Sequence, residues 1–214
     1  MNTQELFRYI DHTLLKPYAD WMEIDKLCRE GLAYHTASVC IPPSFVARAR
    51  EAYPTLRIGT VIGFPLGYQT TAVKVAEAVD AVGNGADELD LVINLGWVKE
   101  NAFAAVTAEI IAVKAVIGQC LLKVIIETCY LSDAEKQQLC DCVAQSGADF
   151  IKTSTGFGSA GAAIADIYLF RQYLPPTVGI KAAGGIKTLE ELQMFIDAGC
   201  GRIGTSVAVK LLNL

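Results

Sequence analysis

Hydrophobic and polar positions along the chain follow two alternating periods. Short runs rich in Val, Ile and Leu recur near residues 9–14, 36–41, 57–62, 88–94, 121–127, 149–153, 178–182 and 201–204. Between them lie longer stretches whose apolar residues return every three to four positions, among them 21–32, 71–82, 103–117, 133–145, 162–173 and 189–198. The first pattern predicts strands and the second amphipathic helices. A strand, a helix and then a strand again requires parallel pairing, because the helix is the crossover that carries the chain back. Eight evenly spaced units could form an open doubly wound sheet. Their spacing, and the lack of any Pro/Gly/Ser-rich linker or charge block, predict instead an α/β fold in which residues 1–214 form a single-domain (β/α)8 TIM barrel.

Strand parity then locates the chemistry. In a closed parallel barrel, alternate residues face the helices and the others face the lumen. In GADELDLVIN the helix-facing set is Leu89, Leu91 and Ile93, which turns Glu88, Asp90, Val92 and Asn94 inward. The same reading sends Lys123 and Glu127 inward from LLKVIIE, Lys152 from DFIKTS, Lys181 from VGIKAAGG, and Asp11 and Thr13 from YIDHTL. A barrel core normally stacks aliphatic side chains, and unpaired charges there would be very costly. Singly, each lysine reads as a snorkelling surface residue and each acid as a cap or surface ion pair. Convergence sets that aside for the group and leaves two readings, a buried structural ion-pair network or a reactive site. An amine attacks a carbonyl only when unprotonated, a state that burial or a neighbouring cation favours. One lysine as nucleophile, a second as its activator and a carboxylate that passes protons are what Schiff-base aldol chemistry needs.

The late loops add a candidate anion site. Ala183-Gly184-Gly185 follows one strand, and Gly204-Thr205-Ser206 follows the next and is expected to open the last helix, the region where barrels commonly hold phosphate. Glycines that merely make tight turns are the plainer alternative. Gly156-Phe157-Gly158-Ser159-Ala160-Gly161 fits the spacing of a dinucleotide fingerprint, but Lys181 stands where the ribose-binding acid would be, so a helix-opening loop that accepts an anion fits better. His12 carries helix-facing parity, His35 only precedes a strand, and Cys140 and Cys142 diverge on a helix, so a zinc site or a Ser-His-Asp triad is poorly supplied.

Composition narrows the partners. Hydrophobic residues make up 52% of the chain and charged residues 19%, so much of it should be buried. A net charge of -5 gives no general attraction to nucleic acid or anionic membrane. Seven cysteines without CxxC spacing suit a reducing compartment, and neither a signal-peptide pattern nor a spanning apolar run is read, so the expected location is cytoplasmic.

The segments DHTLLKP (11–17), VIGFPLG (61–67), GADELDLVIN (85–94), KVIIET (123–128), GADFIKTSTGF (147–157) and GIKAAGGI (179–186) resemble, in order, the deoxyribose-phosphate aldolase family. The resemblance implies that Lys152 forms a Schiff base and that Lys181 and Asp90 transfer protons. Asp11, Thr13, Lys123, Thr155, Gly156, Gly184, Gly185, Thr205 and Ser206 complete the expected substrate site. It further implies phosphosugar and aldehyde substrates, no cofactor and no metal, and leaves room for a homo-oligomer. The reaction implied joins acetaldehyde to glyceraldehyde 3-phosphate, reversibly, giving 2-deoxyribose 5-phosphate. Longer members carry a C-terminal extension ending in a tyrosine that assists proton transfer, and some have a basic residue where Phe157 stands. These departures bear on rate and phosphate affinity, not on reaction type. Two rivals share the pattern: another lysine-dependent aldolase of a phosphosugar, and a non-catalytic phosphosugar-binding barrel.

Overall fold

Each apolar run forms a strand: β1 (Ile10–Thr13), β2 (Ser38–Cys40), β3 (Ile58–Ile62), β4 (Glu88–Val92), β5 (Leu121–Ile125), β6 (Phe150–Lys152), β7 (Gly179–Ala183) and β8 (Arg202–Thr205). In the computed structural model, which describes residues 3–211, each strand pairs in parallel with the next and β8 closes on β1. The helices are α1 (Thr3–Phe7), α2 (Trp21–Tyr34), α3 (Val46–Ala52), α4 (Thr71–Gly83), α5 (Leu95–Lys99), α6 (Phe103–Lys114), α7 (Asp133–Ser146), α8 (Ile164–Tyr173), α9 (Leu189–Asp197) and α10 (Ala208–Leu211). Among the described residues no helix is long and apolar enough to cross a membrane.

One parity of the strands makes the fold. Ile10, Val39, Ile58, Leu89, Leu91, Leu122, Val124, Ile151, Ile180 and Ile203 are buried and join residues such as Ile24, Ala78, Ile110, Leu139, Ile167 and Phe170 of the surrounding helices in one hydrophobic layer. Burying a side chain of this size contributes about 1.5–3 kcal/mol relative to exposure. Three helices start at capping boxes visible in the sequence, Asp20 with Glu23, Ser132 with Glu135 and Thr188 with Glu191.

Boundaries differ from the periodicity where tertiary contacts intervene. α8 begins two residues later than expected, since the Ala162 N–H is held by the carbonyls of Ala183 and Gly184. α6 ends at Lys114 rather than 117, where the lysine Nζ turns to the Asp149 carboxylate at 2.6 Å. The last helix begins at Ala208, so Thr205 ends β8 and Ser206 lies ahead of the helix without opening it. α3 and α5 run seven and five residues, and α1 five among the described residues, too short for a helical period to stand out. α3 is fixed instead by Arg50, which donates to the carbonyls of Pro54, Leu56 and Gly85 and pairs with Asp87.

The other parity is polar. The register aligns Asp90 with Lys123, Lys152 with Lys181, and Lys181 with Arg202, so the charges of β4 to β8 face one another across the lumen.

Candidate active site

Asp90 is the hub of the lumen. Its Oδ1 accepts from Lys123 Nζ at 2.9 Å, and its Oδ2 accepts from both Lys152 Nζ and Lys181 Nζ at 2.7 Å. Beneath it, Asp11 lies 2.5 Å from Lys181 and accepts from Ser38 and Arg202, while Glu88 binds Lys123 at 2.7 Å and takes the fork of Arg202 at 3.0–3.2 Å. All these groups are buried. Among the described residues this ion-paired cluster holds four cations, Lys123, Lys152, Lys181 and Arg202, against three carboxylates, Asp11, Glu88 and Asp90. A water-poor lumen is least costly when its charges balance, so one cation is in excess. Among the described residues Lys152 has one carboxylate partner, Asp90, whereas Lys181 has two and Lys123 three.

Protonation follows that partner count. Burial opposes charge on every member. For Asp90 it is outweighed by Lys123, Lys152 and Lys181, which hold the carboxyl well below the usual carboxylate range. Asp11 is held low in the same way by Lys181, Lys123 and Arg202. Burial would lower Lys181 and Lys123 too, but the surrounding carboxylates raise both. Lys152 goes the other way: burial lowers it and Lys181 adds to the effect, and Asp90 alone among the carboxylates does not offset the two. Cys40, facing the same lumen from β2, is pushed up to about 11 by burial and by Asp90, so its thiol stays protonated at neutral pH.

Above Lys152 opens a cavity of about 340 Å³. Its wall includes Thr13, Lys152, Thr155, Gly156, Gly184, Gly185, Thr205 and Ser206, together with Lys16 and Lys187, which the sequence reading did not single out. Among the described residues no carboxylate lines it. Asp11, Lys123, Asp90 and Lys181 lie below, off the cavity wall. The Thr205 hydroxyl is engaged within the protein, donating to the Ile186 carbonyl and accepting from the Val207 N–H. Thr13 donates to the Asp11 carbonyl at 2.7 Å.

The glycines of the 156–161 loop are packing devices. A Cβ on Gly161 would sit 2.1 Å from the Gly184 carbonyl oxygen, and one on Gly158 2.8 Å from Cys129 Sγ. Without a Cβ at Gly161 the loop after β6 lies directly on the loop after β7, and without one at Gly158 it lies on the segment after β5. Gly184 and Gly185 both have positive φ, 83° and 80°, a region glycine occupies at little cost. Glu127, read as inward, stands at the rim: its carboxylate accepts from the Thr155 N–H and hydroxyl, fixing the loop that follows Lys152.

Arg202 is the main lumen residue that the sequence reading missed. Its signal was the same parity, with Ile203 facing the helices. The set-aside residues lie elsewhere: His12 meets Glu30 at 2.7 Å, His35 is the left-handed C-cap of α2, and Cys140 and Cys142 are buried in α7. All seven cysteines are free.

The same chain pattern recurs in known proteins. Residues 6–209 match the DeoC/LacD family of aldolases. The deoxyribose-phosphate aldolase of Clostridium botulinum is 53% identical across 100% of this chain and 97% of its own length. That of Clostridioides difficile is 50% identical across 98% and 96%. Among solved structures, the tetrameric deoxyribose phosphate aldolase of Aeropyrum pernix superposes with a TM-score of 0.93 at 31% identity, covering 99% of this chain and 91% of that one. With an ionic barrel lumen below a cation-lined cavity and a match that runs nearly end to end, the chain belongs to the DeoC/LacD family of aldolases.

Proposed function

We propose that the protein reversibly cleaves 2-deoxy-D-ribose 5-phosphate to glyceraldehyde 3-phosphate and acetaldehyde through a Schiff base on Lys152. The observation that carries this reading is that Lys152 alone of the three lumen lysines both reaches the cavity and has its pKa lowered. The neutral amine attacks C1 of the open-chain sugar, and loss of water from the carbinolamine gives an iminium. The iminium accepts the electron pair of the C2–C3 bond as that bond breaks and the C3 hydroxyl proton is removed, which releases glyceraldehyde 3-phosphate and leaves an enamine. Protonation at C2 and hydrolysis then return acetaldehyde and Lys152.

Asp90 and Lys181, joined to each other and to Lys152 through Asp90 Oδ2, are suited to carry these protons. Asp11 and Lys123 act from below, holding Asp90 and Lys181 charged and in place. The phosphate is assigned to the mouth formed by Gly156, Gly184, Gly185 and Ser206, with charge supplied by Lys16 and Lys187. Thr13 and Thr155 border the sugar. This assigns the phosphate affinity to the cavity's cations and loop N–H groups, not to α10, and it supplies cations where Phe157 provides none. The Aeropyrum pernix neighbour is tetrameric, and we extend self-association, along with a cytoplasmic location suited to seven free thiols, to this chain as part of the same proposal.

The test is trapping with acetaldehyde and cyanoborohydride followed by peptide mapping. The adduct should sit on Lys152, and Lys152→Ala should abolish both trapping and turnover. An adduct confined to Lys181 would overturn the assignment.

A further inference from the structure

The charge excess in the lumen has a source far from the cavity. Arg202 lies at the bottom, 2.8 Å from Asp11 and 3.0 Å from Glu88, and has no place on the cavity wall. Its Cα is in register with Lys181, which is in register with Lys152, so two strand spacings, roughly 10 Å, separate the backbones of Arg202 and Lys152. We propose that Arg202 and Glu88 are positioning residues that set, by their opposed charges, how readily Lys152 gives up its proton.

This rests on the reading of Lys152 as the Schiff-base lysine and deepens it. The polar groups that share the lumen with Lys152 are Asp11 and Thr13 from β1, Ser38 and Cys40 from β2, Glu88 and Asp90 from β4, Lys123 from β5, Lys181 from β7 and Arg202 from β8, and Lys16 and Lys187, from the loops after β1 and β7, share the cavity wall with it and are unchanged in every variant below. The inward side of β3 carries Gly59 and Val61, which bring no charge. Glu127 at the rim is engaged by Thr155, and Arg57 approaches Glu88 from the exposed base at 3.7 Å.

Two routes link Arg202 to Lys152, and both have the same sign. Directly, its positive charge opposes a second positive charge in a water-poor lumen. Through contacts, Arg202 occupies Asp11; without it Asp11 would satisfy Lys181 more fully and leave Asp90 free to stabilise a charged Lys152. Glu88 works in reverse, because its removal would turn Lys123 further toward Asp90 and draw that carboxylate away from Lys152. Arg202 therefore favours the nucleophilic amine and Glu88 restrains it, although neither reaches the substrate.

The experiment measures the rate of cyanoborohydride trapping of acetaldehyde on Lys152 against pH, with the adduct site mapped, in the full-length wild type and in Arg202→Met, Arg202→Lys, Glu88→Gln and Arg202→Met/Glu88→Gln. Arg202→Met should move the midpoint up by roughly one pH unit, the size expected of one unit charge about 10 Å away at an effective dielectric of about 20. Glu88→Gln should move it down by a similar amount. Arg202→Lys should leave it near the wild-type value, and the double variant, which removes one charge of each sign, should return it there. If Arg202→Met does not fold, Glu88→Gln and the double variant carry the test. Unmoved midpoints, shifts of both single variants in the same direction, or a double variant displaced as far as Arg202→Met would overturn the proposal. A wild-type adduct on any other residue would instead overturn the Schiff-base reading beneath it.

Discussion

Replacing Asp90 by Asn keeps the side chain's size and removes the charge on which three lysines converge. Breaking one buried ion pair by deleting a partner costs about 3–5 kcal/mol. Three such losses would approach or exceed the whole stability of an ordinary domain, about 5–15 kcal/mol. The contacts argue against that sum. Lys123 keeps Glu88 at 2.7 Å, Lys181 keeps Asp11 at 2.5 Å, and Lys152, left without a carboxylate, can shed its proton. The expected cost is therefore that of a single pair, about 3–5 kcal/mol. A chemical role adds a separate loss, a fall in turnover of about 10²- to 10⁴-fold for a missing acid/base. The acid limb of stability supplies an internal check. The Asp90 pKa is lowered in the folded protein, so its contribution is present above the unfolded value of 3.8 and is lost as pH falls through the folded value. Below pH 3.8 the unfolded chain binds the extra proton, and wild-type stability should drop by up to about 1.4 kcal/mol per pH unit more steeply than that of Asp90→Asn. Urea midpoints across pH and the retro-aldol rate, measured on the same preparations, decide the matter. Turnover within about tenfold of wild type in a destabilised variant would leave Asp90 with an ion-pair role only. Unchanged urea midpoints would refute the cost of a lost buried ion pair at Asp90.

Three other changes probe the rest of the molecule. Ser206→Asp, which places a carboxylate on a cavity wall that carries Lys16 and Lys187, should raise KM for the phosphorylated aldehyde far more than for an unphosphorylated one; equal effects on both would argue against the phosphate assignment. Gly161→Ala must displace the Gly184 carbonyl now 2.1 Å from the new Cβ, so phosphate affinity should fall while adduct formation on Lys152 with acetaldehyde survives, and a normal KM would show that this close approach does not matter. Lys74, wholly buried between helix layer and barrel, donates to Glu109 at 2.6 Å and to the Val92 carbonyl at 2.9 Å; Lys74→Met should cost about 3–5 kcal/mol in urea unfolding, and adding Glu109→Leu should recover part of the loss.

What could be read from the sequence depended on how many aliphatic residues fixed each strand's parity. In and just after β4, Leu89, Leu91 and Ile93 leave no doubt that Asp90 turns inward, and Val124 with Leu122 does the same for Lys123. β8 offers only Ile203 among glycines, so the same rule applied to Arg202 had little to stand on. Lys16 and Lys187 lie in loops, where no period exists, and their approach to one cavity follows from the closure of β8 on β1. The partial role of Thr205 was illegible for a similar reason, since its hydroxyl is committed to Ile186, nineteen residues away in sequence.

The division of parity also explains how this barrel tolerates a core that should be a liability. Buried ion pairs seldom stabilise a fold more than well-packed apolar residues would, so the lumen is a poor source of stability. The aliphatic layer between strands and helices is continuous and carries that burden without using a single lumen residue. Changes in the lumen that conserve charge balance should then leave the fold standing while altering which group is neutral. Changes that unbalance it should be felt first at Lys152, the cation with the fewest partners and the one that opens to the cavity. An aliphatic lumen would hold the barrel together at least as well, but it would offer no amine whose proton the surroundings already help to remove.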